Sequence, residues 1–159
     1  MNVTSETYSK KVAVTPKQNP ALPGPRRILL VDDEKDARQF SMEVLTAAGY
    51  LVEGFNDGAA GWKALQANNY DLVVTDNKMP KMTGIEMIEK LRSAHMEIPV
   101  ILATGALPVH EFVRKPWLIP DAMLQRPFSS DQLLETVRNV LGTDDGNESG
   151  KETLLPQSL

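Results

Sequence analysis

Between Arg27 and Leu141, short unbroken apolar runs alternate with stretches whose apolar residues return every three or four positions. The runs "RILLV", "YLVEGF", "DLVVT", "PVILAT" and "DAMLQ" read as five strands. The first reads as fully buried, and continuous apolar runs agree with a parallel sheet covered on both faces. The segments between them, "EKDARQFSMEVLTAAG", "GAAGWKALQANN" and "IEMIEKLRSAH", read as helices, and "SSDQLLETVRNVLG" is the last. Strands separated by helices pair in parallel through right-handed crossovers, which places helices on both faces of one doubly wound α/β sheet.

Finer signals set the elements. In the first helix Phe40, Val44, Leu45 and Ala48 are expected to face the core, with Gly49 as a left-handed cap. Gly61 weakens the second helix. The last helix has Ser129 or Ser130 as cap, Asp131 at its positive end, Leu133, Leu134, Val137 and Leu141 inward, and Gly142 as its stop. Pro108, Pro116 and Pro120 confine any helix before the fifth strand to about Val109–Lys115. Residues 1–25 hold Pro16, Pro20, Pro23 and Pro25 and read as a flexible leader. Residues 143–159 are polar and aperiodic and read as a tail, too short for an effector domain. The folded domain is expected over residues 26–142.

At 42% hydrophobic and 24% charged residues, the chain can build a core, which excludes a wholly disordered protein. A net charge of -4 supplies no basic field for nucleic acid. No apolar run reaches membrane-spanning length, and the first residues lack a signal peptide's apolar centre. With no cysteine there is no thiol nucleophile or thiolate zinc site, and a cytoplasmic place is expected.

In an open parallel sheet, chemistry collects at the carboxyl ends of the strands. Here those ends carry Asp32, Asp33 and Glu34 after the first strand, Asp76 after the third, Thr104 on the fourth and Arg126 after the fifth. Neighbouring carboxylates repel, and a cation relieves them. Oxygen ligands without His or Cys suit a hard ion such as Mg²⁺. Such a site suits phosphoryl transfer, with a carboxylate as nucleophile, Thr104 donating to one phosphoryl oxygen and Arg126 pairing with another. Arg126 also has a plain reading as an ion-pair partner of the aspartates. Glu34 and Asp36 read as first-turn helix acids, and His95 and His110 as ordinary histidines. Trp117 is expected to pack over the sheet edge rather than anchor a partner.

Four collinear fragments, "ILLVDDEKDAR", "DLVVTDNKMPKMTG", "VILATG" and "RPFSSDQLLETV", resemble the receiver domain of bacterial response regulators. The resemblance implies a flavodoxin-like fold of strand order 2-1-3-4-5 and Mg²⁺-dependent phosphorylation of one aspartate by a histidine kinase or histidine phosphotransfer protein. Asp76 matches the phosphoacceptor. Asp32 and Asp33 match the acidic pair at the metal, Asp33 as direct ligand, and the Lys78 backbone carbonyl matches another ligand. Thr104 matches the switch hydroxyl, Pro80 and Gly84 the "MPxxxG" turn, and Pro127 the proline that the family holds cis. Output is then by contact with a downstream protein, from a monomer or weak dimer, without nucleic acid or membrane. The protein is a signalling module rather than an enzyme with turnover.

Two positions depart from the pattern. Arg126 stands where the family has lysine, and Met123 where it has an aromatic switch residue. Together with the proline-broken segment before Met123, they keep open a pseudo-receiver that acts by contact without phosphorylation. A third reading, a phosphatase of the haloacid dehalogenase type, needs a second aspartate two residues after the nucleophile, where this chain has Lys78.

Overall fold

The computed structural model describes residues 24–142. All but the last two residues of the expected leader, and the whole expected tail, lie outside the described residues. The elements in chain order are β1 (Arg27–Val31), α1 (Lys35–Ala47), β2 (Leu51–Phe55), α2 (Gly58–Ala67), β3 (Leu72–Thr75), α3 (Gly84–Ser93), β4 (Val100–Thr104), α4 (Val109–Arg114), β5 (Ala122–Gln125) and α5 (Ser130–Leu141). A 3₁₀ turn, Pro116–Leu118, links α4 to β5. No described helix is long and apolar enough to cross a membrane.

The five strands form one parallel sheet in the order β2-β1-β3-β4-β5. Side chains alternate across it. Ile28 and Leu30 of β1 join Leu45 of α1 and Leu133 and Val137 of α5 in one core. Leu29 and Val31 join Leu65 of α2 and Ile85, Ile88 and Leu91 of α3 in the other. The continuous apolar strands thus have their physical cause, a helical layer on each face.

The helix ends follow their local chemistry. Ser129 accepts from the Gln132 N–H while the Gln132 side chain accepts from the Ser129 N–H, closing a capping box on α5. Gly142 ends that helix at φ 63°, and Gly49 follows α1 at φ 102°. The glycine read as a weakness in α2 has a packing use. A Cβ on Gly61 would come within 2.8 Å of a Val31 methyl, so the missing side chain lets α2 lie close on β1.

Three expectations need correction. On α1 the buried residues are Ser41 and Leu45, while Phe40 stands 41% exposed and Ala48 is exposed at the cap. The core stripe is rotated toward Ser41, and Phe40 lies at the helix's flank with its ring 6.4 Å from that of Phe128. Trp117 does not pack over the sheet edge; it is 60% exposed, because the 3₁₀ turn sends its neighbour Leu118 inward instead. The short helix ends at Arg114 rather than Lys115, one residue further from Pro116.

Candidate functional site

Strand register assembles the site. Val31 pairs with Thr75, so the next residues, Asp32 and Asp76, leave the sheet side by side. The ladder continues one step past each strand: the Asp76 N–H donates to the Val31 carbonyl at 3.1 Å, and the Asp32 N–H to Phe55 at 3.0 Å. Likewise Thr104 pairs with Gln125, and the next N–H, of Arg126, donates to the Thr104 carbonyl at 3.1 Å. Backbone bonds thus fix where three charged side chains begin. β1 and β3 are neighbours, but α1, β2 and α2 lie between them in sequence. This reversal of strand order opens the crevice above their carboxyl ends.

Asp32, Asp33 and Asp76 each turn a carboxylate oxygen into one cluster, with those oxygens within 4.8 Å of one another. Asp32 is buried at 2% exposure, Asp76 is half-buried and Asp33 is exposed. The cluster thus runs from the sheet to solvent, with an open side for a ligand. Its all-oxygen donor set and spacing fit a hard divalent cation. Lys78 is exposed.

Arg126 enters from β5. Its Nη2 donates to Asp32 Oδ2, and its Nε lies 4.0 Å from Asp76 Oδ2 and donates to the Ala103 carbonyl at 3.4 Å. Its guanidinium carbon sits 5.5 Å from the centre of the Phe128 ring. The Arg126–Pro127 peptide is cis, as the resemblance implies. Thr104 is buried at the end of β4, and its Oγ1 accepts from the Ala106 N–H at 3.3 Å. Met123, by contrast, stands 43% exposed on β5, outside the cluster. His95 and His110 are both exposed, away from it.

The sequence reading missed two residues that shape this site. The Asn77 N–H donates to Asp76 Oδ1 at 2.6 Å, while the Asn77 side-chain oxygen accepts from the Ile85 N–H at 3.0 Å. Asn77 therefore ties the carboxylate to the start of α3. The sequence signal was an Asx residue directly after a strand-end acid, a turn former at a place where the chain must reverse. Arg38 donates from Nη1 to the Asp32 carbonyl at 2.8 Å, clamping the β1–α1 turn. Its place on α1 gives no periodic hint of that role.

Burial pushes the Asp76 carboxyl above its ordinary value of 3.8. Arg126, the Asn77 N–H and the Thr104 hydroxyl oppose the rise, and Asp32 adds to it by like-charge repulsion. The sign for stability follows. A folded state that holds its proton more tightly than the unfolded chain loses stability as pH rises from 3.8 through the raised folded value. In metal-free buffer, Asp76→Asn should therefore gain stability relative to wild type as pH rises through that window. Urea unfolding at a series of pH values reads this directly; a difference that stays flat with pH would refute it.

A family model described as "Response regulator receiver domain" matches residues 28–138. The transcriptional regulatory protein RprY of Bacteroides fragilis is 35% identical over 115 residues, 72% of this chain and 49% of that protein. The response regulator MprA of a Mycobacterium species is 33% identical over 138 residues, 85% of this chain and 60% of that protein. The chain thus spans about half the length of the regulatory proteins it matches. Among solved structures, a CheY-like receiver domain protein from Methanospirillum hungatei aligns with TM-score 0.70 and 27% identity, over 80% of this chain and 98% of that one. The response regulator TrrA from Thermotoga maritima, in complex with Mg²⁺–BeF, aligns with TM-score 0.63 and 30% identity, over 72% and 98%. Since the curated relatives include transcriptional regulators by name, they lend no support to the expectation of no nucleic-acid partner.

Proposed function

The chain belongs to the family of response regulator receiver domains, and from that membership we propose that Asp76 is the phosphoacceptor of a two-component or phosphorelay pathway. The observation that carries this reading is the half-buried Asp76 carboxylate. Its backbone is pinned to β1, and it shares one cluster with Asp32, Asp33 and the Arg126 guanidinium.

An Asp76 carboxylate oxygen attacks the phosphorus of a phosphohistidine on a histidine kinase or phosphotransfer protein. The new O–P bond forms as the P–N bond breaks, and the imidazole keeps the electron pair and takes a proton from solvent. Asp32, Asp33, Asp76 and the Lys78 backbone carbonyl would hold Mg²⁺, which supplies charge neutralisation for the phosphoryl oxygens. The chain's own residues do the positioning. The Asn77 N–H aims the nucleophile, and Thr104 sits at the end of β4 to donate its hydroxyl to a phosphoryl oxygen. Arg126 supplies the second cation. Met123 has no hydroxyl to turn inward, so the output cannot run through a tyrosine-type rotamer switch. A cytoplasmic place and a downstream protein partner belong to the same proposal.

A second reading has one observation of its own. Arg126 lies closer to Asp32 than to Asp76, whose Oδ2 is 4.0 Å from its Nε, the arrangement of a structural ion pair. In that reading the domain is a pseudo-receiver recognised without phosphate. Intact-mass spectrometry after incubation with Mg²⁺ and acetyl phosphate separates the two. Gain of one phosphoryl group is expected; a folded, metal-binding protein that gains none would favour the pseudo-receiver.

A further inference from the structure

We propose that Arg126 is a built-in competitor for the cation held by the acid cluster, and that its forked contact sets how tightly this domain binds Mg²⁺. The inference rests on the receiver reading but concerns a property of this chain's own arginine. Both oxygens of Asp32 are already engaged. Oδ1 accepts from the Glu34 N–H at 3.0 Å, and Oδ2 takes the Arg126 guanidinium. Asp32 is 2% exposed, so water screens this pair poorly and the attraction is strong. A divalent ion drawn to the cluster must either displace the guanidinium from Oδ2 or sit beside it and bear the repulsion between like charges.

Arginine is the residue that makes this competition effective. One planar group reaches two acceptors on different strands, with Nη2 on Asp32 after β1 and Nε on the Ala103 carbonyl of β4. The ammonium of a lysine is a single point and cannot span both. The guanidinium also has somewhere to go. It is 25% exposed, lies beside the Phe128 ring and comes within 4.0 Å of Asp76. Release from Asp32 therefore moves it toward solvent, the ring or the nucleophile rather than stranding a buried charge. In this arrangement Arg126 holds the acid cluster together while it is metal-free and yields one contact when the cluster is filled.

The test compares Mg²⁺ binding by calorimetry to metal-stripped wild type, Arg126→Lys and Arg126→Gln, each checked for fold by circular dichroism. Arg126→Lys keeps the charge, so it isolates the fork from simple electrostatics. It also leaves Asp32 a cationic neighbour, which protects folding. Loss of one charge-assisted hydrogen bond from the metal-free state should tighten Mg²⁺ binding about tenfold in Arg126→Lys, and at least as much in Arg126→Gln. A dissociation constant for Arg126→Lys within about twofold of wild type overturns the proposal. So does a Mg²⁺-saturated wild type whose Arg126 Nε and Nη resonances have not moved. If no variant binds Mg²⁺ at all, the metal reading of the cluster fails as well, which is a different result from equal binding by all three.

Discussion

Asp76→Asn is expected to abolish phosphoryl uptake from acetyl phosphate or from a phosphohistidine donor, while the protein stays folded. The amide is nearly isosteric with the carboxylate, and its carbonyl oxygen can still accept the Asn77 N–H that fixes Asp76. What is lost is the nucleophile, since a neutral amide oxygen does not form the acyl phosphate. The loss should reach the detection limit rather than leave a modest residue of activity, because no neighbouring acid is placed to substitute. Asp32 is buried and tied to Arg126, while Asp33 starts from the exposed turn beyond β1 rather than from the central strand. Intact mass on both proteins under identical conditions is the measurement. Undiminished phosphorylation of Asp76→Asn would mean that the acceptor is a different residue and that the strand-end argument picked the wrong carboxylate. The same variant should bind Mg²⁺ less tightly, since one of three charged oxygens has been replaced by a neutral one.

Much of the fold is legible in the sequence, and for an identifiable reason. β1, β3 and β4 are buried on both faces, so their sequences are unbroken apolar runs with one physical interpretation. α5 carries its cap, its acid, its apolar stripe and its terminal glycine in plain order, and each signal acts within one turn of the residue that bears it. α1 was less legible. Its residues permit two adjacent stripes, one through Phe40 and Val44 and one through Ser41 and Leu45. The choice is made by the neighbouring α5 and by Phe128 just before it, which local periodicity does not contain. Trp117 fails for a similar reason. In a turn of three residues, inward and outward positions are set by where Leu118 finds its pocket, and apolarity alone cannot say which of two neighbours that is.

The site is legible to a different depth. Parallel pairing puts every strand's carboxyl end on one edge, and the strand order that the resemblance implies brings Asp32, Asp76 and Arg126 together there. Which of them pair could not be read from the sequence. The guanidinium prefers Asp32 over Asp76 because Asp32 is the more deeply buried acid, and burial is a property of the assembled sheet. Arg38 left no sequence signal and Asn77 showed only as a turn former, because each serves the site through a backbone contact of another residue, Ile85 in one case and Asp32 in the other. Short-range pattern finds residues that carry chemistry; it does not find those that hold the carriers still.

Gly84→Ala should destabilise the domain by about 3 kcal/mol, an overpacking cost at the upper end of its usual range because the obstacle is backbone. A Cβ at Gly84 would overlap the Asp76 carbonyl oxygen and approach Leu102 Cδ1 to 2.9 Å and the Asn77 Cα to 3.0 Å. Leu102 is fully buried in the core between the sheet and α3, so its methyl cannot retreat. Two of these three neighbours belong to the chain segment that carries the candidate nucleophile, which is held in turn by the Gly84 N–H donating to the Asn77 carbonyl at 3.0 Å. The methyl group must therefore push either α3 off the sheet or the Asp76–Asn77 backbone out of line, and both cost packing. Thr83→Ala is the control. It removes the capping box of the same helix, in which Thr83 accepts from the Glu86 N–H at 3.1 Å, without adding an atom. That loss should cost about 1 kcal/mol and leave phosphoryl uptake intact. In Gly84→Ala, uptake should slow even under conditions where the protein remains folded, since the carboxylate is displaced along with its backbone. Denaturant unfolding gives the stability of each variant, and the acetyl phosphate assay gives the uptake. Equal stability of Gly84→Ala and wild type would show that α3 has room to shift. The glycine would then be dispensable to the turn that carries Asp76 into the crevice.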